Sequence, residues 1–165
     1  KGLVHALNFG LNLIDSKYVA RLDSDDFNIG QRLSKQIKFM EENPKITLVG
    51  SSMKDADGRQ EFVPCCPNKI TATGMRYAQS HNLSYCFHPS WLFRREFMPS
   101  YNPDYEHAED IFMLVELTLK GRKIANIPDY TVAHRLHPDR VSSLYRDIQK
   151  KNALKAIDVL ERNGA

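Results

Sequence analysis

Residues 18–28, YVARLDSDDFN, are the feature that most constrains this chain. A short apolar, β-prone run ends there in three carboxylates within four residues, Asp23, Asp25 and Asp26. Two carboxylates held about 4 Å apart cost on the order of 4 kcal/mol at an effective dielectric near 20 if both stay ionised. A fold that places them at the end of a buried strand therefore needs something to offset that repulsion.

A divalent cation is one way to offset it. Side chains alternate along a strand, so Asp23 and Asp25 face the same side if the extended geometry continues. Two converging carboxylates suit a hard cation such as Mg²⁺ or Mn²⁺, and ligands of open α/β sheets gather at the carboxyl ends of strands. The alternative is a solvated turn whose aspartates cap the next helix, a role that suits Asp26 even beside a metal.

Hydrophobic periodicity predicts an α/β fold with mixed strand directions. The spacing of apolar residues predicts helices over 3–14, 70–79, 109–119 and 147–163, and a further helix between a cap at Asn28 and the Asn43-Pro44 stop. Strands are predicted over 18–22, 46–52, 61–63, 85–93, 123–127 and 130–133, the last two on either side of a Pro128-Asp129 turn. Pro89 interrupts the fifth of these, which suggests an edge or bent strand.

The composition indicates a soluble globular protein. With 165 residues, 42% of them hydrophobic and 26% charged, we expect a single domain over 1–165 with its own core. A net charge of +3 gives no reason to expect a nucleic-acid partner, and no apolar run approaches the roughly 20 residues that span a bilayer. Three cysteines without regular spacing suggest reduced thiols in the cytoplasm.

Six blocks of sequence resemble the glycosyltransferase family 2 type of GT-A sugar-transfer domain. They are GLVHALNFGL, YVARLDSDD, QRLSKQIKFMEENPKITLVGSS, HPSWLFRR, AEDIFM and HRLHPDRVSS, in family order across most of residues 2–143. A lone DxD is weak, but DxDD followed by RL-x-x-Q and a later ED at a helix start is specific. The resemblance implies a GT-A-like mixed sheet flanked by helices.

The resemblance also implies how a nucleotide-sugar donor, most simply a UDP-sugar, is bound. In the family, the DxD carboxylates hold Mn²⁺ or Mg²⁺ on the donor diphosphate, which assigns that role to Asp23 and Asp25, with Asp25 the closer ligand. The metal stabilises charge that develops on the leaving diphosphate. Asn8 matches a family segment near the nucleotide.

Basic residues supply the other expected donor contacts. The block HRLHPDRVSS holds His134, Arg135, His137 and Arg140. His137 matches a family position over the diphosphate that is sometimes a further metal ligand, or it is a surface histidine before a turn. Arg135 and Arg140 suit phosphate oxygens, and the alternative for Arg140 is a solvated loop residue. Arg32 is expected to neutralise Asp26 or Asp23 structurally, or else to contact the substrate.

The acceptor side is expected at the second acidic pair. By resemblance, Asp110 is the general base that takes the proton from an acceptor hydroxyl, and the attack inverts the anomeric carbon. Glu109 orients a neighbour or binds acceptor hydroxyls. Without the resemblance, both are simply acidic residues that complement the dipole at a helix start. His88 and Trp91 lie toward the acceptor in the family; Trp91 either stacks on a sugar or is buried in the core.

Two departures from the family pattern carry further expectations. The usual first strand and the aspartate that grips the base are absent, so the fold is expected to be N-terminally truncated, with an open sheet edge that allows association into homo-oligomers. No Q-x-x-R-W follows the ED helix, which favours transfer of a single sugar over chain extrusion.

The sequence therefore predicts an inverting, metal-dependent glycosyltransferase. Its acceptor is expected to be a carbohydrate or lipid-linked sugar used for cell-surface polysaccharide. The protein is expected in the cytoplasm or, as a peripheral protein, at the inner face of the membrane. Two rival predictions are a truncated domain that only binds or associates, and a metal-dependent nucleotidyl or phosphoryl enzyme.

Overall fold

The computed structural model describes residues 2–65, 70–135 and 144–164. Its helices are α1 (Leu3–Asn12), α2 (Arg32–Glu42), α3 (Ala72–Ser80), α4 (Glu109–Leu119) and α5 (Arg146–Arg162). Its strands are β1 (Tyr18–Ala20), β2 (Phe27–Asn28), β3 (Ile46–Asp55), β4 (Glu61–Phe62), β5 (Leu92–Arg94) and β6 (Lys123–His134). Short 3₁₀ turns cover His88–Ser90, Arg95–Phe97 and Pro103–Tyr105.

The strands form one mixed sheet in the order β1-β5-β3-β6-β2. Among the described strands, β3 and β6 run parallel and the other pairings are antiparallel, including the short β4 against the end of β3. The mixed strand directions expected from the sequence are therefore confirmed. Among the described residues β1 pairs only with β5, so β1 is one edge of the sheet and its carboxyl end leads into the acidic residues.

Helices cover both faces of the sheet, and the alternation of side chains along β3 divides the core between them. Leu48 faces a large cluster with the buried sides of α1, α3, α4 and α5, whereas the next residue, Val49, faces a small cluster with Met40 of α2. Both residues are fully buried. Strand β3 is buried along most of its length, including its polar residues Thr47, Ser51 and Ser52.

The sequence predictions around two prolines, Pro89 and Pro128, differ from the observed structure. The stretch 85–93 is a 3₁₀ turn at His88–Ser90 followed by the short β5, since Pro89 lacks the N–H that a ladder requires. The turn predicted at Pro128-Asp129 is instead an irregularity within one long β6. There the register against β3 jumps from Ser51 opposite Ile127 to Ser52 opposite Tyr130.

Helix α2 begins later than predicted. Asn28 lies in β2 rather than at a helix cap, and Gln31 precedes the helix in the left-handed conformation with φ 58°. The side chain of Asn28 instead accepts a hydrogen bond from Arg32 Nη1 at 2.8 Å. The two-residue strand β2 was not predicted, because its pairing with β6 depends on residues more than 100 positions away.

The expectation that Arg32 pairs with Asp26 or Asp23 is wrong. Arg32 is 2% exposed, and besides Asn28 its guanidinium donates to Gln36 Oε1 at 3.0 Å and to the carbonyl oxygens of Arg21 and Trp91 at 2.7 and 3.0 Å. Burial, and secondarily the charge of Arg21, lowers its pKa to about 10. Arg32 therefore ties α2 to the backbone just before the acidic residues and to the start of β5.

We expect Arg32→Met to lower the free energy of unfolding by about 2–4 kcal/mol, because two backbone carbonyls lose a charged donor in a buried place. Urea unfolding followed by circular dichroism measures the change. Arg59→Met, at an exposed turn residue, is the matched control and should leave stability within about 0.5 kcal/mol of the parent. Equal effects of the two substitutions would contradict the structural role of Arg32.

Candidate active site

The three aspartates after β1 lie in a tight turn rather than in a continued strand. The N–H of Asp26 donates to the carbonyl of Asp23 at 3.2 Å, so the expected alternation of side chains does not extend through this segment. Asp23 and Asp25 are partly exposed, whereas Asp26 is buried. The turn therefore presents two of the carboxylates outward and turns the third into the protein.

Asp26 connects this turn to the end of β6. Its Oδ1 accepts hydrogen bonds from His134 Nδ1 at 2.9 Å and from the backbone N–H of Arg135 at 3.1 Å. It does not cap α2, the role that the sequence suggested for it. The contact holds the acidic turn against a strand that lies 108 residues further along the chain.

The second acidic pair begins α4. His107, two residues earlier, has a left-handed backbone with φ 67°, which is uncommon for a residue with a side chain. Its ring stacks on that of Tyr145 with centroids 4.3 Å apart. Glu109 is buried and Asp110 is partly exposed, with Oδ1 accepting the N–H of Ile111 at 2.8 Å. The sharp backbone turn thus places two carboxylates at the helix start.

Arg21 interacts with both acidic groups, the aspartates after β1 and the pair at the start of α4. It is 9% exposed, and its Nη2 forms an ion pair with Asp23 Oδ1. Its charge also lowers the pKa of Glu109 and of Asp110, and Asp23 raises the pKa of Asp110. The structure therefore brings Asp23 and the pair at the start of α4 close enough to interact, around one guanidinium.

Both carboxyls of the pair are harder to ionise than usual. Burial, followed by the neighbouring charge of Asp110, raises the pKa of Glu109 to about 7. Burial also raises the pKa of Asp110, against the opposing effect of the Ile111 N–H. Because the two groups interact, they titrate as a pair. A carboxyl that titrates near neutrality is suited to accept a proton at physiological pH.

His88 and Tyr101 form the inner wall beside Arg21. His88 Nε2 and the Tyr101 hydroxyl are 2.8 Å apart, and burial lowers the pKa of His88 while raising that of Tyr101. Asn8 clamps the same tyrosine from α1: its Nδ2 donates to the Tyr101 carbonyl and its Oδ1 accepts the Tyr101 N–H, both at 2.8 Å. Both polar atoms of the Asn8 amide therefore bind the backbone of Tyr101 and hold that residue in position.

Trp91 is not available to a sugar. It is fully buried, and its Nε1 donates to the Cys86 carbonyl at 3.1 Å while its ring lies 4.5 Å from that of His88, centroid to centroid. The structure therefore favours the alternative that the sequence left open, burial in the core. His88 is itself 9% exposed and contacts the site through Tyr101.

Of the expected phosphate-binding residues, the structure places Arg135 beside the acidic turn. Its guanidinium lies 5.0 Å from the centre of the exposed Phe27 ring. His137 and Arg140 lie outside the described residues. The predicted contact of Arg135 with a diphosphate stays a prediction, and the structure adds only that Arg135 stands next to Asp26.

A metal site built by protein alone is not found among the described residues, where no group of three or more His, Cys, Asp or Glu side chains could hold an ion. Mg²⁺ typically uses one or two carboxylates together with substrate phosphates, and the partly exposed Asp23 and Asp25 fit that kind of donor set. Asp23 Oδ1 is also paired with Arg21, and Asp25 as the closer metal ligand stays a prediction. Metal dependence itself stays a prediction.

Arg21 and Tyr101 were not predicted as site residues. The sequence contains a signal for Arg21, because an arginine inside an apolar strand that is followed by aspartates is an unusual buried charge. It contains no such signal for Tyr101, which lies in a loop and whose position depends on Asn8, 93 residues away along the chain.

The profile of "Glycosyl transferase family 2" matches residues 1–101, which include the acidic turn. This chain belongs to that family. The resemblance inferred from the sequence is thereby confirmed.

Several curated glycosyltransferases are similar to the chain. An uncharacterised glycosyltransferase of Haemophilus influenzae is 30% identical over 93% of this chain and 51% of its own length. The amylovoran biosynthesis glycosyltransferase AmsE of Erwinia amylovora is 30% identical over 86% of this chain and 53% of its own. The Escherichia coli protein named "UDP-Glc:alpha-D-GlcNAc-diphosphoundecaprenol beta-1,3-glucosyltransferase WfaP" is 26% identical over 96% of this chain and 62% of its own. The chain therefore spans about half the length of the first two.

Solved structures confirm the fold class. The crystal structure of residues 1–349 of Staphylococcus aureus TarS matches with a TM-score of 0.58 at 17% identity, over 95% of this chain and 51% of that one. A second TarS structure matches with a TM-score of 0.55 at 20% identity, over 86% of this chain and 25% of that one. The mixed sheet with its flanking helices is thus of the GT-A type, as expected.

We expect the stability difference between Glu109→Gln and the parent to depend on pH. The pKa of Glu109 is about 7 in the fold, against 4.5 as its ordinary value, so the fold holds a proton that the unfolded chain releases between those values. The stabilisation from that proton is present at low pH and lost as pH rises through 7. The neutral glutamine should therefore gain on the order of 2 kcal/mol relative to the parent between pH 5 and pH 8.

Urea unfolding at the two pH values measures this difference. Glu106→Gln, at an exposed carboxylate just before α4, is the control and should show little change between them. A gain for Glu109→Gln no larger than that of the control would contradict the raised pKa of Glu109.

Proposed function

We propose that the protein is an inverting glycosyltransferase that moves a sugar from a nucleoside-diphosphate donor to a carbohydrate or lipid-linked acceptor. The observation that carries the proposal is the convergence of Asp23 with Glu109 and Asp110 around Arg21. Family membership and relatives that act in polysaccharide biosynthesis, such as AmsE, support it. The name of WfaP supports a UDP-sugar as donor and a diphosphoundecaprenol-linked sugar as acceptor.

The acidic turn is the donor side in this proposal. Asp25, with Asp23 beside it, would hold Mn²⁺ or Mg²⁺, and such an ion stabilises negative charge on a leaving diphosphate. Asp23 is oriented by its ion pair with Arg21, and Asp26 fixes the turn through His134. Arg135, next to Asp26, would add a guanidinium for phosphate oxygens.

The start of α4 is the acceptor side. Asp110 would remove the proton from the attacking hydroxyl, because it is partly exposed and its raised pKa makes it a stronger base than an ordinary aspartate. Attack from the face opposite the leaving diphosphate inverts the anomeric configuration. Glu109, buried next to it, would contact a substrate hydroxyl and not the reacting oxygen.

Membrane location stays a prediction. Across the described ranges, no helix is long and apolar enough to cross a bilayer. We propose the cytoplasm or its membrane face, by analogy with the lipid-linked acceptor in the name of WfaP. Association into homo-oligomers along the open edge of β1 is a further proposal, supported by the single pairing of that strand in the described part of the chain.

We expect Asp110→Asn in the intact protein to reduce sugar transfer by about 10²–10⁴-fold, because the amide cannot accept the proton. Binding of UDP with Mn²⁺, measured by calorimetry, should stay within about twofold of the parent, a difference of about 0.4 kcal/mol. Asp104→Asn, an exposed residue shortly before α4, is the control. Near-normal transfer by Asp110→Asn would refute its assignment as the base.

We expect Asp25→Ala to weaken the Mn²⁺-dependent part of UDP binding by about tenfold or more, since a charged oxygen ligand is lost. The thermal midpoint in Mn²⁺ and UDP, compared with UDP alone, reports that part directly. Asp57→Ala, in the exposed β3–β4 turn, should keep the full shift. A parent midpoint that millimolar UDP and Mn²⁺ do not raise would favour a non-catalytic domain.

A further inference from the structure

The beginning of α5 leaves three large apolar side chains exposed. Leu144 and Tyr145 come directly before the helix and Ile148 lies in its first turn, and they are 61%, 43% and 49% exposed. Because a helix turns about 100° per residue, Ile148 lies about 140° around the axis from the buried Ala153. Further along, α5 packs on the core through a set of fully buried residues, Ala153, Ala156, Ile157 and Leu160. The core therefore does not cover the apolar side chains at the beginning of α5.

Positive charges stand among these apolar side chains. Residues 146–155 carry a net charge of +3, as much as the whole chain. Lys155 is already engaged, because its Nζ donates to the Asp104 carbonyl at 3.1 Å and lies 4.5 Å from the centre of the Tyr105 ring. The two acidic residues later in α5 are both paired with Arg76. Within the described ranges no ion pair involves the remaining cations of this stretch, which are the exposed Arg146, Lys150 and Lys151.

The combination of apolar and cationic side chains narrows the kind of partner. An acidic peptide or a free phosphate matches the cations but leaves the apolar side chains in water. An apolar protein face would instead take the cations out of water, which is costly. The surface of an anionic membrane offers charged headgroups directly above hydrocarbon, and a tyrosine ring suits that boundary. We call the surface in question the α5 patch, and it consists of Leu144, Tyr145, Arg146, Ile148, Lys150 and Lys151.

We propose that the α5 patch binds the surface of a membrane that contains anionic lipids. Leu144 and Ile148 enter the boundary between headgroups and acyl chains, while the cationic side chains extend to the lipid phosphates. The helix lies on the membrane and does not cross it. Asp147, the one acidic residue of the stretch 146–155, opposes this binding.

Tyr145 connects the α5 patch to the acceptor side of the proposed active site. Its ring stacks on that of His107 with centroids 4.3 Å apart, and His107 comes three residues before Asp110. This step rests on the proposed function: a protein docked through the α5 patch holds the loop before α4 beside the membrane surface, where the sugar of a lipid-linked acceptor is found.

A second apolar surface shows why the cations matter. Phe9 in α1 and Leu13 directly after it are also exposed, but residues 3–14 contain no Lys or Arg. Nothing about that surface selects a charged partner. It therefore carries no membrane proposal and supplies a matched control for the α5 patch.

Co-sedimentation of the intact protein with lipid vesicles tests the proposal. The vesicles contain equal parts of phosphatidylglycerol and phosphatidylcholine, or phosphatidylcholine alone. We expect the parent to bind the anionic vesicles at about 0.05 M NaCl and to bind them about tenfold more weakly at about 0.5 M NaCl, because salt screens exposed charges. Vesicles of phosphatidylcholine alone should bind about tenfold more weakly at low salt.

Three variants change the α5 patch or the acid beside it. Each cation near an anionic surface contributes about fivefold to binding, so Lys150→Glu combined with Lys151→Glu should weaken it by about 25-fold or more. Ile148→Ser should weaken it by about fivefold at both salt concentrations, because salt does not screen apolar burial. Asp147→Asn should strengthen binding by about threefold to fivefold, because it removes a repelling charge.

The controls make the same chemical changes elsewhere on the surface. Lys45→Glu combined with Lys123→Glu alters the net charge equally, at two exposed lysines beside the paired starts of β3 and β6. Leu13→Ser removes an exposed apolar side chain. Both controls should bind the anionic vesicles within about threefold of the parent. Circular dichroism checks that every variant is folded, and UDP–Mn²⁺ affinity in solution should stay within about twofold of the parent in each.

Each outcome decides the inference. A parent that does not bind vesicles, or that binds neutral and anionic vesicles equally, would overturn it. Equal losses in the α5 patch variants and the controls would show that only net charge or general apolarity matters, and would overturn it too. So would a parent that self-associates through Ile148, as seen by sedimentation velocity, without binding vesicles. A parent that binds anionic vesicles through the α5 patch but does not bind UDP–Mn²⁺ would support the inference and refute the proposed function.

Discussion

The placement of one positive charge among several carboxylates is the constraint on which the site depends. Asp23 and the pair Glu109 and Asp110 come from distant parts of the chain, and their like charges disfavour one another's ionised forms. Arg21 supplies the positive charge by pairing with Asp23 and by favouring the ionised forms of the other two. Its own position depends on Arg32, whose guanidinium binds the Arg21 carbonyl.

The burial of Arg32 carries an electrostatic cost and serves a structural purpose. Two buried guanidinium groups oppose each other, and the charge of Arg21 contributes to the lowered pKa of Arg32. Arg32 tolerates burial because its nitrogens donate to protein oxygens, two of them the backbone carbonyls of Arg21 and Trp91. Such a group is structural, since its donors are already committed. Arg21, by contrast, has two N–H donors, at Nε and Nη1, that find no partner in the described part of the chain.

The sequence was sufficient wherever the signal was local. The periodicity of apolar residues predicted each of the five helices described above, and the motifs indicated the family and its GT-A fold. The motifs also drew attention to the acidic residues after β1 and at the start of α4, and in the structure Asp23 is near enough to raise the pKa of Asp110. Local rules failed where backbone geometry changes within a few residues, as in the turn from Asp23 to Asp26.

Contacts between distant residues could not be predicted from the sequence. Trp91 could be a sugar platform or a core residue, and only the packing of His88 and Cys86 around it decides for the core. In the sequence Asp26 resembles a helix cap, whereas in the structure it forms a hydrogen bond with His134, which is 108 residues away along the chain. In each case the residue type fits two different environments, and the tertiary fold determines which of them the side chain occupies.

Through Arg21, the ion pair of Asp23 links the acidic turn to the carboxyls at the start of α4, whose pKa values Arg21 lowers. In the proposed function, the acidic turn is the side for a charged diphosphate and its metal. The start of α4, where the pKa of Glu109 is about 7, is in the same proposal the side for neutral hydroxyl groups. A substrate that is anionic at one end and a polyol at the other, as a nucleotide-sugar is, fits that difference in charge.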